Sequence, residues 1–147
     1  MVLYRRKAEL EIFLLHSGGP FYSRKDDGAW SIPKGEREPG EDALAAAWRE
    51  FEEETGWPRP VGAATVALPP LRITAVKILH AWLVEGDADP ARLRSATFQW
   101  KGRHYPEADR AGWFTLEQAR RKMFSGQMPL LELVRAALAS TSTVLER

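Results

Sequence analysis

The sequence predicts an α/β fold from three observations: apolar and β-branched runs surround one amphipathic segment, that segment carries a helical repeat without Gly or Pro, and helical patterns follow at the end. At 147 residues the chain fits one domain, expected to span residues 1–147, able to bury roughly 68–70% of its unfolded surface. Ala8 to Leu15 alternates imperfectly and stops at Ser17-Gly18-Gly19-Pro20, which reads as a strand and a turn. Trp30 to Pro33 reads as a short strand running into Lys34-Gly35. From Glu41 to Thr55, Leu44, Ala47, Trp48 and Phe51 recur at helical spacing before Gly56 and Pro58 end the segment. Val61 to Leu68 and Ile73 to Val84 are apolar and β-branched, punctuated by Pro69-Pro70 and Gly86-Asp87, and predict two strands. Phe98 to Trp100 and Gly112 to Phe114 predict short strands flanking an irregular loop, Lys101 to Ala111. Thr115 to Phe124 opens with a capping box, Thr115 with Gln118 three residues later, and Met128 to Ala139 supplies a last amphipathic helix. The chain has no internal repeat, low-complexity tract or domain linker.

Composition narrows the chemistry. Twenty-one basic residues nearly balance twenty acidic ones, so a net charge of +1 gives no global pull toward nucleic acid or an anionic membrane. Any selectivity for phosphate must be local. The chain contains no cysteine, which excludes disulfides, thiolate nucleophiles and thiolate metal sites and leaves oxygen and imidazole ligands. Arg5, Arg6 and Lys7 precede an apolar stretch broken by Glu9, Glu11 and His16, which does not make a signal peptide. No segment reaches the roughly 18 apolar residues of a membrane span. The expectation is a soluble cytoplasmic protein.

On a helical wheel, Leu44, Ala47, Trp48 and Phe51 form one stripe that faces a core, while Glu50, Glu53 and Glu54 cluster on nearly the opposite side. Ala43 and Ala46, earlier on the glutamate face, would leave room for another group to approach. Like charges at i, i+4 cost about 0.2–0.5 kcal/mol, and carboxylates in a last helical turn oppose the dipole by about 0.3–1 kcal/mol each. A bound cation reverses both penalties, and oxygen ligands suit Mg²⁺ or Mn²⁺. Taken alone, the acidic face also fits a solvated surface on which Arg49 pairs with Glu53 at i+4.

The surrounding spacing is more specific: Gly35, five residues, Glu41, seven residues, then Arg49, Glu50, apolar Phe51, one residue, Glu53, Glu54, one residue, Gly56 and apolar Trp57. Such a pattern arises by chance on the order of once in a million chains of this length. It resembles the Nudix box, and the chain is identified as a member of the Nudix hydrolase family. The resemblance implies an α/β/α sandwich with a mixed sheet and a catalytic loop-helix-loop. It implies that Glu50, Glu53 and Glu54, with Gly35, hold divalent cations, Mg²⁺ or Mn²⁺. Arg49 would orient the glutamates, and Glu41 would support the loop or reach metal through water. Gly35 and Gly56 would permit the turns bounding the helix. Phe51 and Trp57 are bulkier than the usual aliphatic residues, which should affect packing and not chemistry.

The resemblance further implies attack of a metal-activated water on a diphosphate phosphorus. Glu53, Glu54 and the loop residue Glu107 are the candidate proton acceptors, with His104 a weaker one. The run Trp30-Ser31-Ile32-Pro33-Lys34-Gly35 is similar to that of the dinucleoside polyphosphate and diphosphoinositol polyphosphate branch, where a basic residue in the place of Lys34 neutralises phosphate. Trp30, Lys34 and Tyr105 are the substrate-binding candidates, and Tyr22, Trp82 and Trp100 are further rings on which a base could stack. Gln99 to Trp113 with Gly126-Gln127 also resembles a bacterial subgroup described only as predicted NTP pyrophosphohydrolases, which names no substrate.

The expected activity is hydrolysis of a pyrophosphate bond in a nucleotide. Dinucleoside polyphosphates rank first, then nucleoside triphosphates, ADP-ribose-like sugars and the 5′ end of RNA. Arg92, Arg94, Lys101 and Arg103, interleaved with Phe98 and Trp100, read either as a basic track for RNA or as a solvated strand edge. Nucleic acid and membrane partners are not expected, and a homodimer is left open. From another class, a Nudix-fold ligand sensor without catalysis is the competing reading. Degenerate modules usually lose box glutamates, and this chain keeps them.

Overall fold

Strand β2 (Leu10–Ser17) is buried along nearly its whole length, which explains why its sequence alternates so imperfectly. Ile12 and Leu14 enter one hydrophobic core, while Phe13 and Leu15 enter the other. A computed structural model describes the backbone of residues 1–146 and the side chains of residues 1–140. Arg147, the last residue of the expected domain, lies outside the described residues.

The remaining strands are β1 (Val2–Arg6), β3 (Trp30–Ser31), β4 (Thr65–Ala67), β5 (Leu71–Arg72), β6 (Ile78–Leu79), β7 (Trp82–Glu85), β8 (Thr97–Trp100), β9 (Arg103–Pro106) and β10 (Ala108–Thr115). The helices are α1 (Ala43–Thr55), α2 (Leu116–Lys122) and α3 (Leu130–Glu146). The main sheet runs β10-β2-β1-β7-β4, with β3 also paired to β2. Its β1–β7 pair is parallel, with Val2 opposite Leu83, and its other pairs are antiparallel, so the sheet is mixed as expected. β5–β6 and β8–β9 form two separate hairpins.

Alternate residues of β1, β2 and β7 divide between the two faces. Val2, Ile12, Leu14 and Leu83 pack with Ala119 of α2 and Leu131 and Val134 of α3. Leu3, Phe13, Leu15 and Val84 pack with Trp48 and Phe51 of α1. Each such side chain contributes about 1.5–3 kcal/mol on burial, which is what fixes the helices to opposite faces of the sheet. No helix among the described residues is long and apolar enough to cross a membrane.

The elements depart from expectation at several places. β1 replaces the charged flank read at residues 5–7, because Arg5 is tethered to Glu11 and Asp87, both at 2.8 Å, and lies 4.3 Å over the Trp113 ring. The strand expected over 61–68 shortens to β4. The strand expected over 73–84 breaks into β6, β7 and a turn in which Lys77 N donates to Thr74 Oγ1 at 3.0 Å and Ile73 N to Lys77 O at 2.9 Å. The loop expected over 101–111 is a hairpin followed by a long strand, turned at Lys101 (φ 48°) and Gly102 (φ 76°). The α2 capping box forms as read: Gln118 N donates to Thr115 Oγ1 at 3.2 Å and Thr115 N to Gln118 Oε1 at 3.0 Å. α3 runs past Ala139 to Glu146.

Candidate active site

Helix α1 is placed by its apolar face and punctuated by its ends. Asp42 caps it, accepting from Ala45 N at 3.1 Å, so the helix starts at Ala43 and Glu41 stays outside it. Gly56 closes it at φ 79°, and a Cβ there would fall 2.7 Å from both Arg94 Cβ and Arg94 O. Backbone N–H groups of a following segment then satisfy carbonyls of the last turn, Arg94 N to Thr55 O at 2.9 Å and Ala96 N to Glu53 O at 2.8 Å. That segment leads directly into β8, so the end of α1 and the base of the β8–β9 hairpin are stitched together.

Arg49 gathers the carboxylates around it. Its Nε and Nη2 donate to the two oxygens of Glu41 at 2.9 and 3.0 Å, and its Nη1 to Glu50 at 2.9 Å and to Glu53 at 3.3 and 3.4 Å. Nη2 also donates to Glu36 O at 3.0 Å, which ties the loop before α1 to the helix. The Arg49 guanidinium holds the Glu41 carboxyl down to about 2, with the Glu38 backbone N–H acting the same way. Glu41, chiefly, and Glu50 in turn hold the Arg49 proton on. Ala46, where the sequence predicts room for another group to approach, is buried.

Glu50 occupies a seat that exists only because residue 35 has no side chain. A Cβ on Gly35 would fall 1.9 Å from Glu50 Cδ and 2.0 Å from its Oε2. Burial raises the Glu50 carboxyl against the opposing pull of Arg49. Glu54 accepts from Lys34 N at 3.0 Å. Burial pushes its carboxyl up to about 7, with Lys34 pulling it down and Glu50 and Glu107 adding to the rise. Glu53 is the most open of the three, with its side chain 49% exposed.

These groups line one cleft of about 290 Å³, bounded by Lys34, Gly35, Glu36, Glu50, Glu53, Glu54, Ala96 and Glu107. Glu107 reaches it from the far side as the single residue between β9 and β10. Its N–H donates to Ala96 O at 2.8 Å and its carbonyl accepts from Gly18 N at 2.9 Å. Gly18 allows this approach, since a Cβ there would meet Pro106 O at 1.9 Å. A larger cavity of about 450 Å³ adjoins the cleft and shares Lys34, Glu54 and Glu107 with it. Tyr22, Ile73, Phe124 and Gln127 contribute to its wall, and its volume falls in the range of small-molecule sites.

Of the residues singled out from sequence, Lys34, Gly35, Glu50, Glu53, Glu54 and Glu107 line the cleft together, and Arg49 stands behind two of its carboxylates, Glu50 and Glu53. Trp30 and Tyr105 are not brought to either cavity. Trp30 is 5% exposed, donates from Nε1 to Asp26 Oδ1 at 2.8 Å and packs edge-on against Phe114 and His16. Tyr105 lies on β9 against Phe98, and His104, the next residue back, is exposed. Among the rings named for stacking, Tyr22 lines the larger cavity.

Sequence reasoning missed His16, which is fully buried and lines the larger cavity. Its Nε2 meets Lys25 O at 2.6 Å, and since a carbonyl only accepts, that nitrogen carries a proton. Its Nδ1 meets Asp109 Oδ1 at 2.6 Å. A histidine directly after the apolar run Ile12 to Leu15 was the one signal available.

A divalent cation fits the cleft's chemistry. The donors are carboxylate oxygens, partly buried, whose mutual repulsion a cation relieves. Among the described residues, however, no three acidic or imidazole side chains converge as a metal cage. The arrangement suits an ion that takes the rest of its shell from water and from phosphate.

A family model described as NUDIX domain matches residues 1–134. Several solved structures are similar to this chain. One, of a C. elegans Ap4A hydrolase binary complex, is 26% identical, with 95% of this chain and 96% of that one covered and a TM-score of 0.69. Another, of a mutT/nudix family protein from Listeria innocua, is 18% identical, covers 98% and 94%, and has a TM-score of 0.66. The NUDIX domain of Shewanella oneidensis NrtR complexed with ADP ribose is 16% identical, covers 93% and 84%, and has a TM-score of 0.55.

Proposed function

The chain belongs to the Nudix family of pyrophosphate-bond hydrolases, and on that premise we propose that residues 1–147 form one catalytic domain that cleaves a dinucleoside polyphosphate or a nucleoside triphosphate. The observation that carries this reading is the cleft itself, where Glu50, Glu53, Glu54 and Glu107 face Lys34 beside a cavity of about 450 Å³. The 26% identity to a C. elegans Ap4A hydrolase supports ranking dinucleoside polyphosphates first.

Glu50, Glu53 and Glu54, with the Gly35 carbonyl, would hold Mg²⁺ or Mn²⁺. When bound, such an ion lowers the pKa of water and neutralises phosphate oxygens. Lys34 offsets phosphate charge at the junction of the cleft and the larger cavity. Arg49 keeps Glu41, Glu50 and Glu53 in one cluster, so little reorganisation is left for the moment of reaction. Glu107 takes the proton from the attacking water: it faces the three helix carboxylates across the cleft, and both its backbone polar groups are anchored. The larger cavity receives the nucleoside, with Tyr22 and Phe124 as apolar walls and Gln127 as a polar one.

The test is phosphate or nucleotide release with Mg²⁺ across a panel of dinucleoside polyphosphates, nucleoside triphosphates, ADP-ribose and 5′-triphosphorylated RNA, for wild type and Glu53→Gln. Loss of at least about 100-fold in kcat/KM in the variant is expected, which corresponds to about 2.7 kcal/mol of transition-state stabilisation. Equal rates in the two proteins would defeat the catalytic assignment.

A further inference from the structure

We propose that the β8–β9 hairpin is the landing surface for the part of the substrate beyond the scissile phosphates, a second nucleobase carried on a polyphosphate chain. This rests on the hydrolase reading above and narrows its substrate class.

In register, Phe98 pairs with Tyr105 and Trp100 with Arg103, so these four side chains share one face of the hairpin. Phe98 and Tyr105 lie 5.8 Å apart near its base, tilted by 33°. Toward the tip, Trp100 meets Phe21 edge-on at 5.1 Å. Phe21 and Trp100 are 57% and 41% exposed, and they are the two aromatic members of the exposed large hydrophobic side chains described. A pair of open rings in contact offers a π-face to any base, which needs no particular hydrogen-bond pattern.

Charge accompanies the rings. Lys101 places its Nζ 5.8 Å from the Trp100 centroid. Neither Lys101 nor Arg103 has a carboxylate partner among the described residues. Lys101 is also the one non-glycine residue with positive φ among those described, at 48°. Glycine or asparagine would hold that turn at less cost, so a lysine there gives up stability for a charge at the tip.

The surface continues the cleft. Ala96, just before β8, and Glu107, just after β9, both line it. Trp100 lies four residue steps beyond Ala96, about 13 Å at the rise of a strand. A nucleoside on a polyphosphate chain can cover that span from the scissile bond, and a terminal phosphate alone cannot.

The test compares Trp100→Ala and Trp100→Phe with wild type, in the full chain with Mg²⁺, on diadenosine tetraphosphate, adenosine tetraphosphate and a 5′-triphosphorylated oligoribonucleotide. Trp100→Ala should raise KM for diadenosine tetraphosphate about tenfold more than KM for adenosine tetraphosphate, the low end of what losing one base stack does. The kcat values should change little, and Trp100→Phe should restore most of the loss. An equal effect on both nucleotides, no effect on either, or a loss confined to the oligoribonucleotide would each overturn the inference while leaving the hydrolase standing. If wild type cleaved neither nucleotide, the dinucleoside polyphosphate reading would fail and take this inference with it.

Discussion

Replacing Gly35 with alanine separates the chemistry of the cleft from the stability of the fold. The backbone at Gly35 is not in the left-handed region, so alanine is conformationally acceptable and should gain about 0.4–1 kcal/mol through the unfolded chain. What opposes it is space: the new Cβ falls 1.9 Å from Glu50 Cδ, so the carboxylate must leave its seat. Overpacking of this kind costs about 1–3 kcal/mol, and here the displaced group is the free end of a side chain, at the cheaper end of that range. The net loss is about 1 kcal/mol at most, a fall in Tm of no more than roughly 4 °C for a chain of this size. Moving a group that positions reactants by about 1 Å can cost about 100-fold in rate, so kcat/KM should collapse far more than stability does. Gly62→Ala provides the converse control. Nothing lies within 4 Å of its Cβ, but its φ of 71° is strained for alanine, so it should lower Tm and leave turnover alone. The assays are thermal melting and steady-state kinetics on the same preparations. Turnover of Gly35→Ala within about threefold of wild type would refute the idea that the Glu50 seat matters to the reaction.

Three other expectations follow from the same geometry. Gly18→Ala drives a Cβ to 1.9 Å from Pro106 O, where only backbone can yield, and should strain the hydrogen bond that anchors Glu107; a loss of about 2–4 kcal/mol in urea unfolding is expected, and a loss under about 0.5 kcal/mol would contradict it. Lys122 first, and then the Trp30 indole N–H, hold the Asp26 carboxyl below the usual aspartate range. Its native pKa is therefore below its unfolded one, so its contribution is present above the unfolded value and is lost as pH falls through the native one. Asp26→Asn should thus be less stable than wild type at neutral pH, with the gap closing in acid, and a gap that persisted unchanged would count against the pair. Mg²⁺ at tenfold over its Kd should stabilise wild type by about 1.4 kcal/mol. Melting curves with chelator and with Mg²⁺ should show that shift in wild type and lose it in Glu50→Gln with Glu54→Gln, and an unresponsive wild type would argue against the metal site.

The helix and its carboxylates were legible because one local repeat sets them: the stripe ending in Trp48 and Phe51 buries, and Glu50, Glu53 and Glu54 are forced to the other side. Glu107 was legible only as a loop acid. Its position over the cleft depends on Ala96 and Gly18, which are distant from it in sequence and carry no periodic signal. Trp30 looked available because a two-residue strand is too short to show which side faces inward. In the fold that strand lies against β2, and the indole is enclosed by Phe114, His16 and the Arg110 guanidinium, 5.3 Å away. The larger cavity takes its wall from segments around 16, 22, 31, 73 and 124, so no stretch of sequence announces it.

The parallel pairing of β1 with β7 also bears on how the chain reaches its native state. β1 can form a hairpin with β2 as soon as both exist, but its other side waits for Leu83 to Glu85. Until then a row of unpaired amides in what becomes the middle of the sheet is open to any other extended chain. Refolding should therefore be slow for the chain's length and increasingly lost to aggregates as concentration rises, with the delay set by the arrival of the seventh strand.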